Sequence, residues 1–429
     1  MINELELPKT WTIVKLGEVC FTTSGGTPSR KISRYFEGKI PWVKSGELEH
    51  NIILNTEENI SEEAIKNSSA KIFPKGTILI ALYGATVGKL AFLGIDASTN
   101  QAVCGIYKSE LIDSKFLYNY LFSQRNNLVS QSFGGAQPNI SQAILKGLKI
   151  PLPPLKEQHR IVSKVEELFS SLDKGIESLK TAQQELKIYR QAVLKYAFEG
   201  KLTNKNVNGE LPDGWKWVKL SDVTEKKSIK ALPSEMPDAK FIGMDCIEPH
   251  TLKPTFTYKF SEFKSAGNYF EKDHILYGRM RPYLNKVYKS EFVGTCSGEF
   301  IVLSCKEDFK PDLLKYILHS KEFVRYSNNK TSGDRPRVTF EDISDYPIVK
   351  PPLEDQQIIV KEIESRLSVC DKIEESIKQS LAQAEALRQS ILKKAFEGKL
   401  VPQDPNDEPA SKLLERIKAE KEIKTSEKK

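Results

Sequence analysis

Residues 153–202 read PPLKEQHRIVSKVEELFSSLDKGIESLKTAQQELKIYRQAVLKYAFEGKL, and residues 351–400 read PPLEDQQIIVKEIESRLSVCDKIEESIKQSLAQAEALRQSILKKAFEGKL. The two stretches align without a gap at an offset of 198, and 23 of the 50 positions are identical. An internal repeat of this length decides how often one architectural unit occurs, so it comes before any local pattern. A second match pairs residues 7–19 (LPKTWTIVKLGEV) with 211–223 (LPDGWKWVKLSDV) at an offset of 204. The chain is therefore two copies of one plan, a globular part followed by a helix.

Inside the first long repeat, apolar or small residues recur at alternating spacings of four and three. They are Ile161, Val165, Leu168, Leu172, Gly175, Leu179, Ala182, Leu186, Tyr189 and Val193. This is a heptad seam. The second copy carries Ile359, Ile363, Arg366, Cys370, Ile373, Ile377, Ser380, Ala384, Leu387 and Ile391 at the same places. Two such helices pack most simply on each other, as an antiparallel coiled coil with an internal pseudo-two-fold repeat. The double proline before each helix and Phe-Glu-Gly-Lys after it are start and stop signals. About 41 residues at 1.5 Å each give a rod of roughly 60 Å. A heptad stripe on one helix is ordinarily core packing. Two of them in one chain, each following a globular part of similar length, read as a spacer between two binding modules.

The globular parts, 1–150 and 203–349, are of mixed character. Apolar runs at 77–82, 102–107 and 300–303 have strand character, whereas 113–128 and 311–326 have helical spacing. The expected fold class is α+β, in five segments: 1–150, 151–202, 203–349, 350–402 and a charged, helical tail at 403–429. With 429 residues, 39% hydrophobic and 28% charged, the composition is that of a multidomain globular protein. No run approaches the roughly 18 to 20 apolar residues of a membrane span, and residues 1–10 are charged rather than signal-like. A cytoplasmic protein with no membrane partner is expected. The six cysteines show neither close pairing nor flanking histidines at ligand spacing, so they read as reduced thiols without a metal site. A net charge of +7, from 64 basic and 57 acidic residues, permits a polyanionic partner without requiring one.

Several motifs in fixed order, the opening and closing ones present in both halves, carry a family resemblance. They are Leu-Pro-x-x-Trp opening each half, Pro-Trp-Val-Lys-Ser-Gly at 41–46, and Gln-Pro-Asn-Ile-Ser at 137–141 leading into Ile-Pro-Leu-Pro-Pro-Leu-x-x-Gln. Ala-Phe-Glu-Gly-Lys-Leu closes each helix. Over nearly its whole length the chain resembles the specificity subunit of type I restriction-modification enzymes. The resemblance implies two target-recognition domains, each reading one half of a split, asymmetric site in double-stranded DNA. It also implies helices that dock two methyltransferase subunits, with restriction subunits joining through those. The second copy departs from the pattern, with Arg-Pro-Arg-Val-Thr at 335–339 in place of Gln-Pro-Asn-Ile-Ser. A freestanding coiled-coil DNA-binding or architectural protein without enzyme partners is the alternative reading.

No catalytic constellation or cofactor site is expected in the chain itself. The methyltransferase signature Asn/Asp-Pro-Pro-Tyr/Phe is missing, since both Pro-Pro pairs precede leucine, at Leu155 and Leu353. Residues 84–89 (GATVGK) imitate a phosphate loop, but the glycines are one residue too close and Leu90 stands where Ser or Thr would hold magnesium. Phe133-Gly-Gly lies late in its domain and leads into a polar turn, unlike a cofactor loop. The histidines His50, His159, His250, His274 and His319 are scattered. Glu57-Glu58 and Glu62-Glu63 read as solvated faces at helix starts.

For DNA contact, arginine and lysine suit guanine, asparagine and glutamine suit adenine, and hydroxyls or amides suit phosphate. In the first half the candidates are Arg30, Lys31, Arg34, Lys44, Ser45, Tyr83, Thr86, Lys89, Asn100, Gln101, Gln137 and Asn139. In the second they are Lys264, Arg279, Arg281, Tyr283, Lys286, Ser297, Glu299, Arg335 and Arg337. Arg279 and Arg281 lead, because they sit between Tyr277-Gly278 and Pro282 in a turn next to a strand, from which both can reach guanine. The competing reading pairs them with Glu299 or Glu271 on the surface.

Overall fold

Each Pro-Pro-Leu-x-x-Gln motif ends a globular domain and starts a long helix, and its glutamine explains why the two are rigidly joined. Gln158 is fully buried. Its amide donates to the carbonyls of Pro153 (3.0 Å) and Leu111 (3.3 Å), and its oxygen accepts from the backbone N–H of Asp113 (2.7 Å). Gln356, equally buried, repeats this with Pro351 (2.8 Å), Asp308 (3.1 Å) and the N–H of Lys310 (2.8 Å). One side chain thus gives partners to three backbone groups at the junction of domain and helix.

The computed structural model describes residues 7–131, 139–203 and 210–426, the side chains of 418 and 420–426 excepted. It divides into two units, Met1–Glu177 with Leu381–Lys429, and Ser178–Ser380. In the first, a two-stranded ladder joins Thr12–Lys15 to Lys149–Leu152, so the domain's entry and exit lie side by side. A five-stranded sheet has the order Thr22–Ser24, Val103–Ile106, Ile78–Ala81, Leu90–Leu93, Asn51–Ile53. A four-stranded sheet runs Glu58–Ile60, Ile40–Val43, Ala97–Thr99, Ile72–Phe73. The second unit follows the same plan, with the ladder Lys216–Lys219 to Pro347–Lys350, but its first sheet has four strands and its second five. Its sheets are Thr224–Lys227, Phe300–Cys305, Ile275–Gly278, Val287–Lys289, and Lys230–Ala231, Gly267–Phe270, Gly294–Cys296, Lys240–Ile242, Tyr258–Lys259. Each unit has a parallel pair in its second sheet, Trp42 with Ser98 and Phe241 with Thr295, and the first unit has another between Asn51–Ile53 and Leu90–Leu93. The expected α+β class is the one found. The helical stretches at 113–128 and 311–326 are each broken in two, at Gln124 and at Ser320, whose hydroxyl caps the helix Lys321–Asn329.

The long helices span Leu155–Phe198 and Leu353–Phe396. In the first unit, Ile161, Val162 and Val165 share one core with Ile391, Leu392, Ala395 and Phe396. In the second, Val193, Leu194 and Ala197 share one with Ile359 and Ile363. The start of each helix meets the end of the other, which is antiparallel pairing. An arginine fixes the register in each unit. Arg190 bridges to Asp371 (2.6 Å) and Glu374 (2.9 Å), and its repeat mate Arg388 pairs with Asp173, the mate of Asp371, while lying over the Phe169 ring (4.6 Å).

The seam is narrower than the heptads imply. One row, Ile363, Cys370, Ile377, Ala384 and Ile391, stays buried throughout. In the other row Ile359 is buried, but Ile373 and Leu387 are exposed at 44% and 51%. In the first helix Val165, Leu186 and Val193 are buried, Leu168, Leu172 and Leu179 are half-buried, and Tyr189 is exposed. Assigning Ile373 and Leu387 to the seam is therefore corrected. Both rows are covered only near the helix ends, where a domain core adds a third layer. Between the ends two helices bury a single row, and the second row faces water.

Both long helices end in a glycine with positive φ, Gly200 at +74° and Gly398 at +70°. The following lysine N–H reaches back five residues, Lys201 to Tyr196 and Lys399 to Lys394, both 2.8 Å, as in a Schellman cap. A β-carbon on either glycine would collide with the proline of Leu-Pro-x-x-Trp, Pro212 or Pro8. The tryptophans that follow are buried, and Trp215 donates to Asp355 (2.8 Å). Past Gly398, residues 403–410 pack on the start of the first long helix, where Gln403 donates to Glu157 (2.6 Å) and Arg160 pairs with the buried Asp407 (2.6 Å). The helix Ala410–Ser426 follows. Among the described residues no helix is long and apolar enough to cross a membrane.

Replacing Gln356 by leucine removes the partners of three backbone groups, one buried and two part-buried. The Gln356→Leu variant should lose about 3 kcal/mol of stability in urea unfolding followed by tryptophan fluorescence.

Candidate nucleic-acid interface

A hairpin turn occupies equivalent places in the two modules and gathers most of the candidate residues. In the first module it joins Ile78–Ala81 to Leu90–Leu93 through a 3-10 turn at Gly84–Thr86; in the second it joins Ile275–Gly278 to Val287–Lys289 through Pro282–Leu284. The backbone bonds correspond at an offset of 197 through the hairpin and of 198 in the segment beside it. The N–H of Ala81 donates to Lys89 and that of Gly278 to Lys286, both 2.9 Å; the N–H of Leu82 donates to Ala102 (2.7 Å) and that of Arg279 to Glu299 (2.9 Å). Ile140 donates to Leu82 (2.9 Å) and Val338 to Arg279 (3.1 Å), and the bridges Tyr83–Asn139 and Met280–Arg337 complete the match. Each turn has two left-handed residues. They are Gly84 (+71°) and Gly88 (+74°) in the first module, Arg281 (+52°) and Asn285 (+48°) in the second.

Asn139-Ile140 and the counterpart Arg337-Val338 thus run beside these turns. Gln137 and Phe133-Gly-Gly lie outside the described residues. The phosphate-loop imitation at 84–89 is a turn between antiparallel strands, not the strand-to-helix junction that cradles phosphate. Asn100 and Ser297 occupy a second matched turn and accept from backbone N–H groups two residues on, Ala102 (3.1 Å) and Glu299 (3.2 Å).

Salt bridges sort the candidates. Arg30 pairs with Glu58 (2.7 Å) and lies over Phe36 and Trp42, while Lys44 bonds Glu57 (2.6 Å) and Glu58 (3.1 Å). These bonds hold the Glu58 carboxyl below, and the Lys44 amine above, their ordinary ranges. Glu57 and Glu58 are thus ion-pair partners beside a strand; of the carboxylate pairs, only Glu62-Glu63 starts a helix. Arg34 pairs with Glu63 (2.8 Å) and Lys89 with Glu49 (3.1 Å). Gln101 accepts from Thr27, and Thr86 donates to the Tyr83 carbonyl (3.3 Å). Ser45 opens the short turn Ser45–Glu47. In the second module Lys286 donates to the Met244 carbonyl (2.7 Å), and burial lowers its pKa. Lys31, Lys264 and Arg335 are exposed, as is Tyr283 on the turn.

Arg279 and Arg281 lie in the turn next to the strand, which ends at Gly278. Both are half-buried, and among the described residues neither has an ion-pair partner, with the Nε of each enclosed and unpartnered. Glu299, the acid expected to neutralise them, is bound by Arg337 instead, at 3.0 Å from Nε and 2.9 Å from Nη2. The left-handed pair in this turn and its correspondence to two glycines were not read in the sequence. The visible signal was Gly84-x-x-x-Gly88 opposite Arg281-x-x-x-Asn285, hidden because its offset differs from those of both stronger matches.

The fold and this site define a class: a duplicated module, each copy presenting one turn with polar and basic side chains, followed each time by a helix that pairs with its repeat. Type I restriction modification DNA specificity domains match residues 8–187 and 212–383. The chain belongs to this family, as the DNA specificity subunit of a type I restriction-modification system. It is 28% identical to the EcoDI specificity subunit of Escherichia coli over 97% of this chain and 96% of that one. It is 27% identical to the EcoKI specificity subunit of Escherichia coli K12 over the same shares. Among solved structures, a chain from work on complex assembly and conformational transition of the type I R-M system superposes with a TM-score of 0.73. That match has 20% identity and covers 92% of this chain and 99% of that one. The HsdS subunit of Thermoanaerobacter tengcongensis gives a TM-score of 0.58 at 21% identity, over 92% and 98%. These two likenesses show a shared fold.

Behind the second turn the modules differ in chemistry. The first has Phe92 stacked on Tyr118 (4.7 Å), with Phe122 against His50 (4.8 Å). At the same offset of 197 the second has Lys289, Lys315 and His319. They help line a cavity of about 1130 Å³, to which the long helices contribute Arg190 and Glu364. Asp312 lies 2.8 Å from Lys289 and 3.7 Å from Lys315. Burial first, and then the charges of His250, Arg190 and Lys315, push the His319 pKa down to about 4. A depressed histidine pKa means that the unfolded chain takes up the proton first. The stability tied to neutral His319 is complete above about pH 6.5 and is lost as the pH falls towards 4. Between those limits wild type should lose about 3 kcal/mol more than His319→Phe, in unfolding measured at successive pH values.

Proposed function

We propose that residues 1–150 and 203–349 are two target-recognition modules, each reading one half of a split, asymmetric site in double-stranded DNA. Residues 151–202 and 350–402 are the spacer helices on which two methyltransferase subunits dock, and restriction subunits join through those. Residues 403–429 form a charged tail. The observation that carries this reading is the pair of matched turns, framed by corresponding backbone bonds and different in side chains. One scaffold repeated with changed contact groups is what two unlike half-sites require. The contacts come from Tyr83, Thr86, Lys89, Asn100, Gln101 and Asn139 with Gln137 in the first module, and from Arg279, Arg281, Tyr283, Lys286, Ser297, Arg335 and Arg337 in the second. Arg30, Lys31, Arg34, Lys44, Ser45, Lys264 and Glu299 flank or position them. Methyl transfer and cleavage belong to the partner subunits.

Exchanging residues 1–150 for the corresponding module of a relative tests this directly. Sequencing the methylated sites of cells carrying the hybrid should show one half of the site changed and the other kept. A change in both halves would refute the modular reading.

The helices also set the unread gap between the half-sites. The two arginine clamps are separated by equal stretches of the two helices, 173 to 190 and 371 to 388. Lengthening both helices at matched places therefore preserves both clamps. Four helix-forming residues after Ala182 and four after Ser380 add roughly 6 Å of rise, about two base pairs at 3.4 Å. Selection of methylated sites from random DNA should return unchanged half-sites with a longer gap. An unchanged gap in an active complex would leave the helices a docking role alone.

A further inference from the structure

We propose that Arg281 reads a guanine of the second half-site, and that the fold gives up stability to hold it in place; this rests on the DNA-reading assignment above. Arg281 has φ of 52° and ψ of 67°, in the left-handed region where a β-carbon crowds the carbonyl that follows. Its counterpart in the first module is Gly84, at nearly the same φ and without that penalty. A glycine would serve the backbone of this turn at least as well. What arginine adds is only its side chain.

The surroundings over-determine the strained conformation. The N–H of Arg281 donates to the Pro336 carbonyl (2.8 Å), and its own carbonyl accepts from Leu284 (2.8 Å). The ring of Pro282 follows directly and disfavours the right-handed helical region for Arg281. At the other end of the turn Asn285, also left-handed, donates through Nδ2 to the His319 carbonyl (2.9 Å). The guanidinium stays uncommitted. Glu299 is held by Arg337, and the enclosed Nε of Arg281 has no partner among the described residues. Strain retained at one residue, whose charged group is half-buried and unneutralised, identifies a binding element. A fork of donors on a rigid turn matches the O6 and N7 acceptors of guanine in the major groove.

The test uses the full complex with its modification partner and three forms of the chain: wild type, Arg281→Gly and Arg281→Lys. Binding is measured to cognate DNA and to duplexes substituted singly at each second-half-site position, over a range of salt, with thermal unfolding of the free chain alongside. Arg281→Gly should unfold at a higher temperature than wild type, since strain is relieved, yet bind cognate DNA about 10- to 100-fold more weakly. Its discrimination should vanish at one guanine and persist in the first half-site. Arg281→Lys keeps the charge without the fork, so it should retain binding to random DNA and lose the same discrimination. An equal loss on cognate and random DNA with a shallower salt dependence would make Arg281 a phosphate contact and overturn the inference. Unchanged discrimination in Arg281→Gly, or a lower unfolding temperature, would overturn it too. If wild type itself showed no preference in the second half-site, the DNA-reading assignment would fall, and the inference with it.

Discussion

Everything in this protein depends on a helix that cannot bury its apolar row alone. A 44-residue amphipathic helix is unstable in water unless a second surface covers that row. The duplication provides one: the partner of each long helix is its own repeat, run in the opposite direction. Antiparallel pairing of two like sequences makes the contacts reciprocal, which is why Arg190 meets Asp371 while Arg388 meets Asp173. The helix then fixes the domain before it through a buried glutamine and the domain after it through a glycine pressed against a proline.

Much of this was legible because repetition converts weak local signals into strong ones. The heptads, the Pro-Pro-Leu-x-x-Gln entry and the Phe-Glu-Gly-Lys exit each occur twice, and the structure gives each occurrence the same physical task. What periodicity does not report is how many surfaces cover a helix. Ile373 and Leu387 have the spacing of seam residues and face water, because between its ends the pair has no third layer. Long helical stretches were likewise read as continuous where Gln124 and Ser320 break them, since a capping side chain competes with propensity only in its three-dimensional setting.

The contact residues were less legible, for a different reason. Arginine and lysine near a turn look alike whether they serve a ligand or a neighbouring carboxylate. Arg30, Arg34, Lys44, Lys89 and Arg337 are tied to acids that lie up to 40 residues away in sequence, a relation that spacing does not encode. Arg279 and Arg281 stand apart because Glu299, the acid expected to neutralise them, is engaged by Arg337. Left-handed backbone at Arg281 was invisible as well, since only glycine announces that conformation in a sequence.

The narrow seam has a colloidal consequence. Ile188, Val369, Ile373 and Leu387 stand in water at 71%, 55%, 44% and 51% exposure on helices that otherwise carry charge. Aliphatic groups displayed along paired helices attract one another between molecules once the chain is concentrated, and a net charge of +7 spread over 429 residues opposes this only weakly at physiological salt. Dispersed behaviour at high concentration therefore depends on a cover for the middle of the rods, and ionic strength sets the point at which uncovered chains begin to cluster.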